Sequence, residues 1–198
     1  MTAARRGANW FIAFPVPDDE GWLDARVGPP PDRVRRFHPA DLHATLAFLG
    51  PVEESAARRA FELARGLSSL PPPLRIGLSR VVGMGPPGRW SALSALLAAG
   101  RPELEDAIAA GREPILSAAG APPDRRPPLP HVTVARLARR AGPGERRAAE
   151  RWAETLDLSP VVPTVEALAL YTWSEDRTDR LFRIVDRAPL PGGPGAGG

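Results

Sequence analysis

The chain has 198 residues, 43% hydrophobic and 25% charged, with Pro 25 and Gly 19, which suits one folded body with long loops around a sizeable core. Its formal net charge is only +3 and its basic residues are all arginine, so a strong electrostatic binder of duplex DNA is not expected, and the missing lysine reads as codon bias. Without cysteine there is no disulfide framework and no cysteine–zinc site, and no apolar run approaches the ~18 residues of a membrane helix; the chain is read as cytoplasmic, with no membrane partner.

Strand and helix patterns interleave along the chain. "NWFIAF" (9–14) alternates as a strand, and "PVPDDE" ends the apolar stretch too soon for a signal peptide. "DDEGWLDARV" opens with the acidic residues of a helix N-terminus. "LHATLAFL" (42–49) reads as a strand, and "EESAARRAFELARGL" places Ala57, Phe61, Ala64 and Leu67 near one helical face. "LRIGLSRVVGM" and "RWSALSAL" read as strands on either side of "GPPG". "RPELEDAIAAGREPILSAAG" reads as a helix through Leu104 and Ile108 that Gly111 and Pro114 kink or divide. "HVTVARL" is a strand, and "GERRAAERWAETL" a helix with Ala148, Trp152, Thr155 and Leu156 inward. "TVEALALYTW" and "DRLFRIVDRA" are strands around "SEDRTD", and the tail "PGGPGAGG" (191–198) is expected to be disordered.

Hairpins paired with helices, rather than a regular βαβ alternation, indicate an α+β fold. We expect a single domain over 1–190. It has two lobes related by a pseudo-twofold, two largely antiparallel sheets with helices outside, and a central cleft.

The chemistry lies in a repeated frame. "HATL" (43–46) and "HVTV" (131–134) hold two of only three histidines, 88 residues apart, each followed at the second position by one of seven threonines. Chance produces that double match on the order of one time in a thousand. In a strand, residues i and i+2 share a face, so His43 stands with Thr45 and His131 with Thr133, about 7 Å apart along the backbone. Two imidazoles can serve as base and acid in one turnover, and two hydroxyls can hold the non-bridging oxygens of a phosphate. Brought together across a cleft, they make a kit for phosphodiester chemistry without a metal or other cofactor.

These motifs, with "WFIAFPVPDD", "HATLAFLG", "PPLPHVTVAR" and "VEALALYTW", resemble the two-histidine (2H) phosphoesterase superfamily over about residues 9 to 190. Within it, the chain is most similar to the LigT-like RNA 2′,3′-cyclic phosphodiesterases once described as 2′-5′ RNA ligases. The approach "FHPADLH" is one residue shorter than is usual there, and Trp90–Gly100 fits only loosely. The resemblance implies metal-independent hydrolysis of a terminal 2′,3′-cyclic phosphate to a 2′-phosphomonoester, with RNA ends or cyclic nucleotides as substrate. It makes His131 the base and His43 the acid, and Thr45 and Thr133 the phosphate-binding hydroxyls. Arg136 matches a basic residue that touches the phosphate, although strand parity turns position 136 away from 131 and 133 unless a bulge intervenes.

Other residues are set aside. His38, before Pro39, reads as a loop-packing histidine, and no histidine spacing suits zinc. Trp10, Phe11, Tyr171 and Trp173 read as core, and Arg125 and Arg126 as a solvated cluster that could also guide RNA. Two other readings stay open: action on 2′-5′ oligonucleotides as phosphodiesterase or ligase, and a catalytically idle RNA-end-binding module. A monomer is the default expectation.

Overall fold

The computed structural model describes residues 8–193; the last five residues of the expected disordered tail, 194–198, lie outside the described residues. The chain runs β1 (Trp10–Pro15), α1 (Trp22–Arg26), β2 (Val34–Arg36), β3 (His43–Gly50), α2 (Glu54–Arg65), β4 (Leu74–Arg75), β5 (Leu78–Met84), β6 (Ala92–Leu97), α3 (Arg101–Ala119), β7 (His131–Leu137), α4 (Pro143–Glu154), β8 (Thr164–Val165), β9 (Ala167–Trp173) and β10 (Phe182–Pro189). The fold is α+β, with one large antiparallel sheet and one small sheet among the described residues.

The large sheet has the order β10-β9-β1-β3-β7-β6-β5, and β2 lies alongside β7. It divides into two groups of strands, β10-β9-β1-β3 and β2, β7, β6, β5. A single registered pair between β3 and β7, Ala44 with Val132, joins them. The two motif strands therefore meet edge to edge, and their ladder stops after one pair. Helices α2 and α3 pack on one another, α3 on β3 and α2 on β9 and β1, and α4 packs on β5.

Helix α2 forms as its pattern predicts: Ala57, Ala60, Phe61 and Ala64 recur at helical spacing and are buried. Emptying the Phe61 site would cost about 3–5 kcal/mol. Helix α3 departs from expectation by running unbroken for 19 residues with Pro114 inside it. Leu104, Ile108, Ile115 and Leu116 are all buried along it, and that burial outweighs the roughly 3 kcal/mol an internal proline costs. Gly111 serves packing instead of a kink, since a Cβ there would stand 3.1 Å from Leu67 Cδ1.

Three further expectations are corrected. The inward residues of α4 are Ala149 and Ala153, with Trp152 and Leu156 partly buried, while Thr155 is exposed. The acidic segment after β1 is a 3₁₀ turn at Asp19–Gly21 followed by a five-residue helix, because Glu20 and Gly21 take positive φ of 62° and 65°. The stretches 74–84 and 164–173 each break in two, and β4 pairs with β8 as a separate ribbon. No helix among the described residues is long and apolar enough to cross a membrane.

Candidate active site

The motif strands share more than their sequence frame. Counted from His43 and from His131 themselves, seven consecutive residues follow the same sequence of half-buried, buried and exposed positions. The cause is a bulge at the same place in each. Against β1, Ala47 pairs with Ile12 and Thr45 with Ala13, leaving Leu46 extra. Against β6, Ala135 pairs with Leu93 and Thr133 with Ser94, leaving Val134 extra. A bulge reverses strand parity beyond it, so Phe48 and Arg136 return to the face that carries the histidines and threonines. The parity objection to Arg136 is thereby removed, and its charge is among the influences acting on His43.

The one registered pair between the motif strands is Ala44 with Val132, so all four motif side chains sit one residue to either side of the point where the strands meet. Each imidazole thus has a threonine two residues on along its own strand, with the other His–Thr pair on the strand it adjoins. Both rings are held alike. His43 Nδ1 lies 2.6 Å from the Asp41 carbonyl oxygen, and His131 Nδ1 lies 2.7 Å from that of Leu129. A carbonyl oxygen only accepts, so each Nδ1 carries a proton and donates it. Each Nε2 is left as the working nitrogen, a base when bare and an acid when protonated.

The surroundings of the two rings differ. His43 is boxed by Phe11, Tyr171 and Phe182, with ring centroids at 4.8, 5.4 and 5.5 Å. Burial lowers its pKa to about 4; the bond to the Asp41 carbonyl opposes this, and the charges of His131 and Arg136 add to the lowering. His131 and Arg136 thus lie near enough to His43 for their charges to act on its ring. Arg136 stands 6.0 Å from the Phe37 ring, and burial with the adjacent Arg177 holds its pKa below the ordinary guanidinium value.

Several supporting residues were not singled out from the sequence. Ser94 is fully buried and its Oγ lies 2.9 Å from Thr133 Oγ1. The equivalent partner of Thr45 is Ala13, which offers no hydroxyl. Asp41 is buried, and its carboxylate accepts from the amides of Leu181 at 2.7 Å and Phe182 at 2.9 Å. Burial pushes that carboxyl pKa up, and the two amide bonds oppose the rise. Only strand pairing reveals Ser94 and Asp41, because their partners lie 39 and about 140 residues away. Phe11 and Tyr171, read as core, do pack, but on the His43 face; Trp10 is in the main core, as expected.

His38 stands apart. Its Nδ1 accepts from the Ala40 amide at 3.1 Å, capping the turn Pro39–Asp41, and its Nε2 lies 3.7 Å from the Asp179 carboxylate. Among the described residues, no group of three or more His, Asp or Glu is arranged to hold a metal ion.

Comparison with known structures places this geometry. Escherichia coli LigT complexed with 3′-AMP matches with a TM-score of 0.66 at 19% identity, covering 93% of this chain and 98% of that one. A Thermus thermophilus protein matches with a TM-score of 0.66 at 22% identity, covering 92% and 97%. Kluyveromyces marxianus Usb1 matches with a TM-score of 0.56 at 13% identity, covering 96% and 100%. No curated protein sequence gives a significant match. At these identities the likeness establishes the fold, and the family follows from the sequence itself: residues 17–177 match the model of the 2′-5′ RNA ligase superfamily. With that match spanning both motifs, the chain belongs to the 2′-5′ RNA ligase superfamily of two-histidine phosphoesterases.

Proposed function

We propose that the protein hydrolyses a terminal 2′,3′-cyclic phosphate to a 2′-phosphomonoester, using His43 and His131 as the acid–base pair without a metal or cofactor. The observation that carries this is the twin Nδ1–H···O=C bonding, which leaves Nε2 of each ring free for proton transfer on motif strands joined at Ala44–Val132. A neutral Nε2 takes a proton from water as its oxygen attacks phosphorus. The P–O3′ bond breaks, and the other imidazolium gives its proton to O3′. The net change adds one water across one ester bond. Thr45, Thr133 and Arg136 hold the equatorial oxygens as charge gathers there.

The direction of proton transfer turns on the protonation of His43 in the complex. The family resemblance assigns His131 as base and His43 as acid, yet burial keeps His43 neutral in the free protein at pH 7. A bound phosphate anion opposes both the desolvation and the neighbouring positive charges, typically by one to three pKa units. A rise at the upper end of that range is what lets His43 carry a proton at pH 7, so its role as acid depends on bound substrate. Twin bonding of both rings favours turnover over passive holding of an RNA end.

Incubation with 2′,3′-cyclic AMP should yield 2′-AMP, undiminished by EDTA. His43→Ala and His131→Ala should each lower kcat by about 10²–10⁴-fold. Full turnover by either variant would refute the paired role, and loss of activity to EDTA would refute the metal-free route. A panel that includes 2′-5′-linked oligonucleotides separates the cyclic phosphodiesterase from a 2′-5′ phosphodiesterase or ligase.

A further inference from the structure

One buried side-chain polar atom among the described residues has no hydrogen-bond partner: the hydroxyl of Tyr171, a residue only 1% exposed. An unpaired buried hydroxyl keeps its full desolvation cost, so what lies beside it matters. Tyr171 lines a cavity of about 530 Å³, within the range of small-molecule sites, and none of the four motif side chains lines it. Burial pushes the phenol pKa up, which keeps the group a neutral donor and acceptor. The charge of Arg187, which lines the same cavity, reaches the hydroxyl and opposes that rise.

The rest of the wall is charged and unpaired. Asp18, Asp19 and Glu166 line the cavity with Arg187, and no salt bridge among the described residues engages any of the four. Asp18 Oδ1 accepts from the Leu23 amide at 2.8 Å, which leaves its other oxygen for a ligand. On β10 a bulge between Ile184 and Asp186 sets Ile184 opposite Tyr171 and Arg187 opposite Ala169, so both stand on the Tyr171 face. Pro15, Pro17 and Ile184 add apolar wall. Three carboxylates against one guanidinium repel a phosphate chain and attract ammonium groups.

Two other cavities fit worse. The one of about 480 Å³ beside Trp22 shares Asp19 and Thr164 but offers no buried unpaired polar side chain. The one beside Arg136 and Phe37 measures only about 70 Å³.

We propose that the Tyr171 cavity binds a dibasic amino acid. The ligand's carboxylate accepts from Tyr171 and Arg187, its two ammonium groups meet Asp18, Asp19 and Glu166, and its aliphatic stem lies on Pro15, Pro17 and Ile184. A simple polyamine fits less well, because it offers no acceptor to the phenol and brings like charge to Arg187.

Calorimetric titration with L-lysine, putrescine and norleucine tests this. Putrescine lacks the carboxylate and norleucine lacks the second ammonium, so lysine should bind about tenfold more tightly than either. Tyr171→Phe keeps the ring stack on Phe11 and removes only the unpaired hydroxyl, so the variant should fold. It should raise the Kd for lysine about five- to tenfold and leave that for putrescine unchanged. Glu166→Gln should raise the Kd for lysine about tenfold or more. Saturating 2′-AMP should not displace lysine. Undetectable lysine binding, equal lysine affinity in wild type and Tyr171→Phe, tighter binding of putrescine than of lysine, or displacement by 2′-AMP would each overturn the assignment. Binding is read without turnover, so absence of hydrolase activity would leave the site standing, and an active hydrolase without lysine binding would remove the site alone.

Discussion

The depressed pKa of His43 has consequences for both rate and stability. Its value of about 4 in the free protein should appear as the acid limb of the kcat/KM profile, since kcat/KM reports the free enzyme. That limb is the same whether His43 is base or acid, because the two protonation arrangements carry the same number of protons. NMR titration of the ring separates the roles: the pKa should rise by one or more units when 2′-AMP binds. A ring that stays neutral in the complex would make His43 the base. For stability the sign is fixed by comparison with the unfolded value of 6.5. The folded state binds the proton less tightly, so the contribution is complete above pH 6.5 and is lost as pH falls through 4. The loss reaches about 3 kcal/mol as an upper limit, because the ring is only half-buried. A denaturation midpoint that does not move between pH 7 and pH 4 beyond the change in His43→Ala would sink this account. The histidines themselves were legible as a repeated frame. Their aromatic box was not, because Phe11, Tyr171 and Phe182 have the same sequence character as core aromatics and meet only through the pairing of β1, β9 and β10.

At the level of elements, the bulged strand is the working unit. Period-two reasoning puts His43, Thr45 and the apolar residues between them on the correct faces, and it fails beyond Leu46 and Val134, where an extra residue reverses the alternation. No composition signal marks those positions, since the bulge residues are ordinary buried aliphatics. Similarly, Gly111 and Pro114 carry local breaking signals that tertiary burial overrides. The pairing of β6 with β7 adds Ser94 as a positioning residue. With no other hydrogen-bond partner among the described residues, its hydroxyl is available to donate to Thr133 Oγ1, leaving the Thr133 proton for phosphate. Ser94→Ala should therefore raise KM about five- to tenfold, the worth of one neutral hydrogen bond, with little change in kcat or in the pH limbs. In a Thr133→Val background the same substitution should have no further effect on KM. An equal loss in both backgrounds would reduce Ser94 to a packing residue.

For the whole molecule, the question is what fixes the cleft when one backbone pair joins the two groups of strands. Side chains around β2 and the 174–181 loop supply the answer. Arg35 on β2 donates to the carbonyls of Arg177 at 3.3 Å, Asp179 at 2.5 Å and Thr178, tying the loop before β10 to the strand beside β7. Asp41 holds the start of β10 against the approach to β3, and its own carbonyl orients His43. These two ties differ in environment, and so should their energies. The Arg35 bonds are exposed, where water replaces them at little cost, so Arg35→Ala should change stability by under about 1 kcal/mol. Asp41 is buried, so Asp41→Ala strands two amides without an acceptor. That should cost about 3 kcal/mol and lower Tm on the order of 10 °C for a chain of this size. The same variant frees the loop that places Arg177 near Arg136, so KM should rise even at temperatures where the protein stays folded. Thermal melts of the two variants side by side decide the matter: equal, small shifts would mean that the cleft is held by packing of the sheet alone and that the buried carboxylate contributes nothing specific.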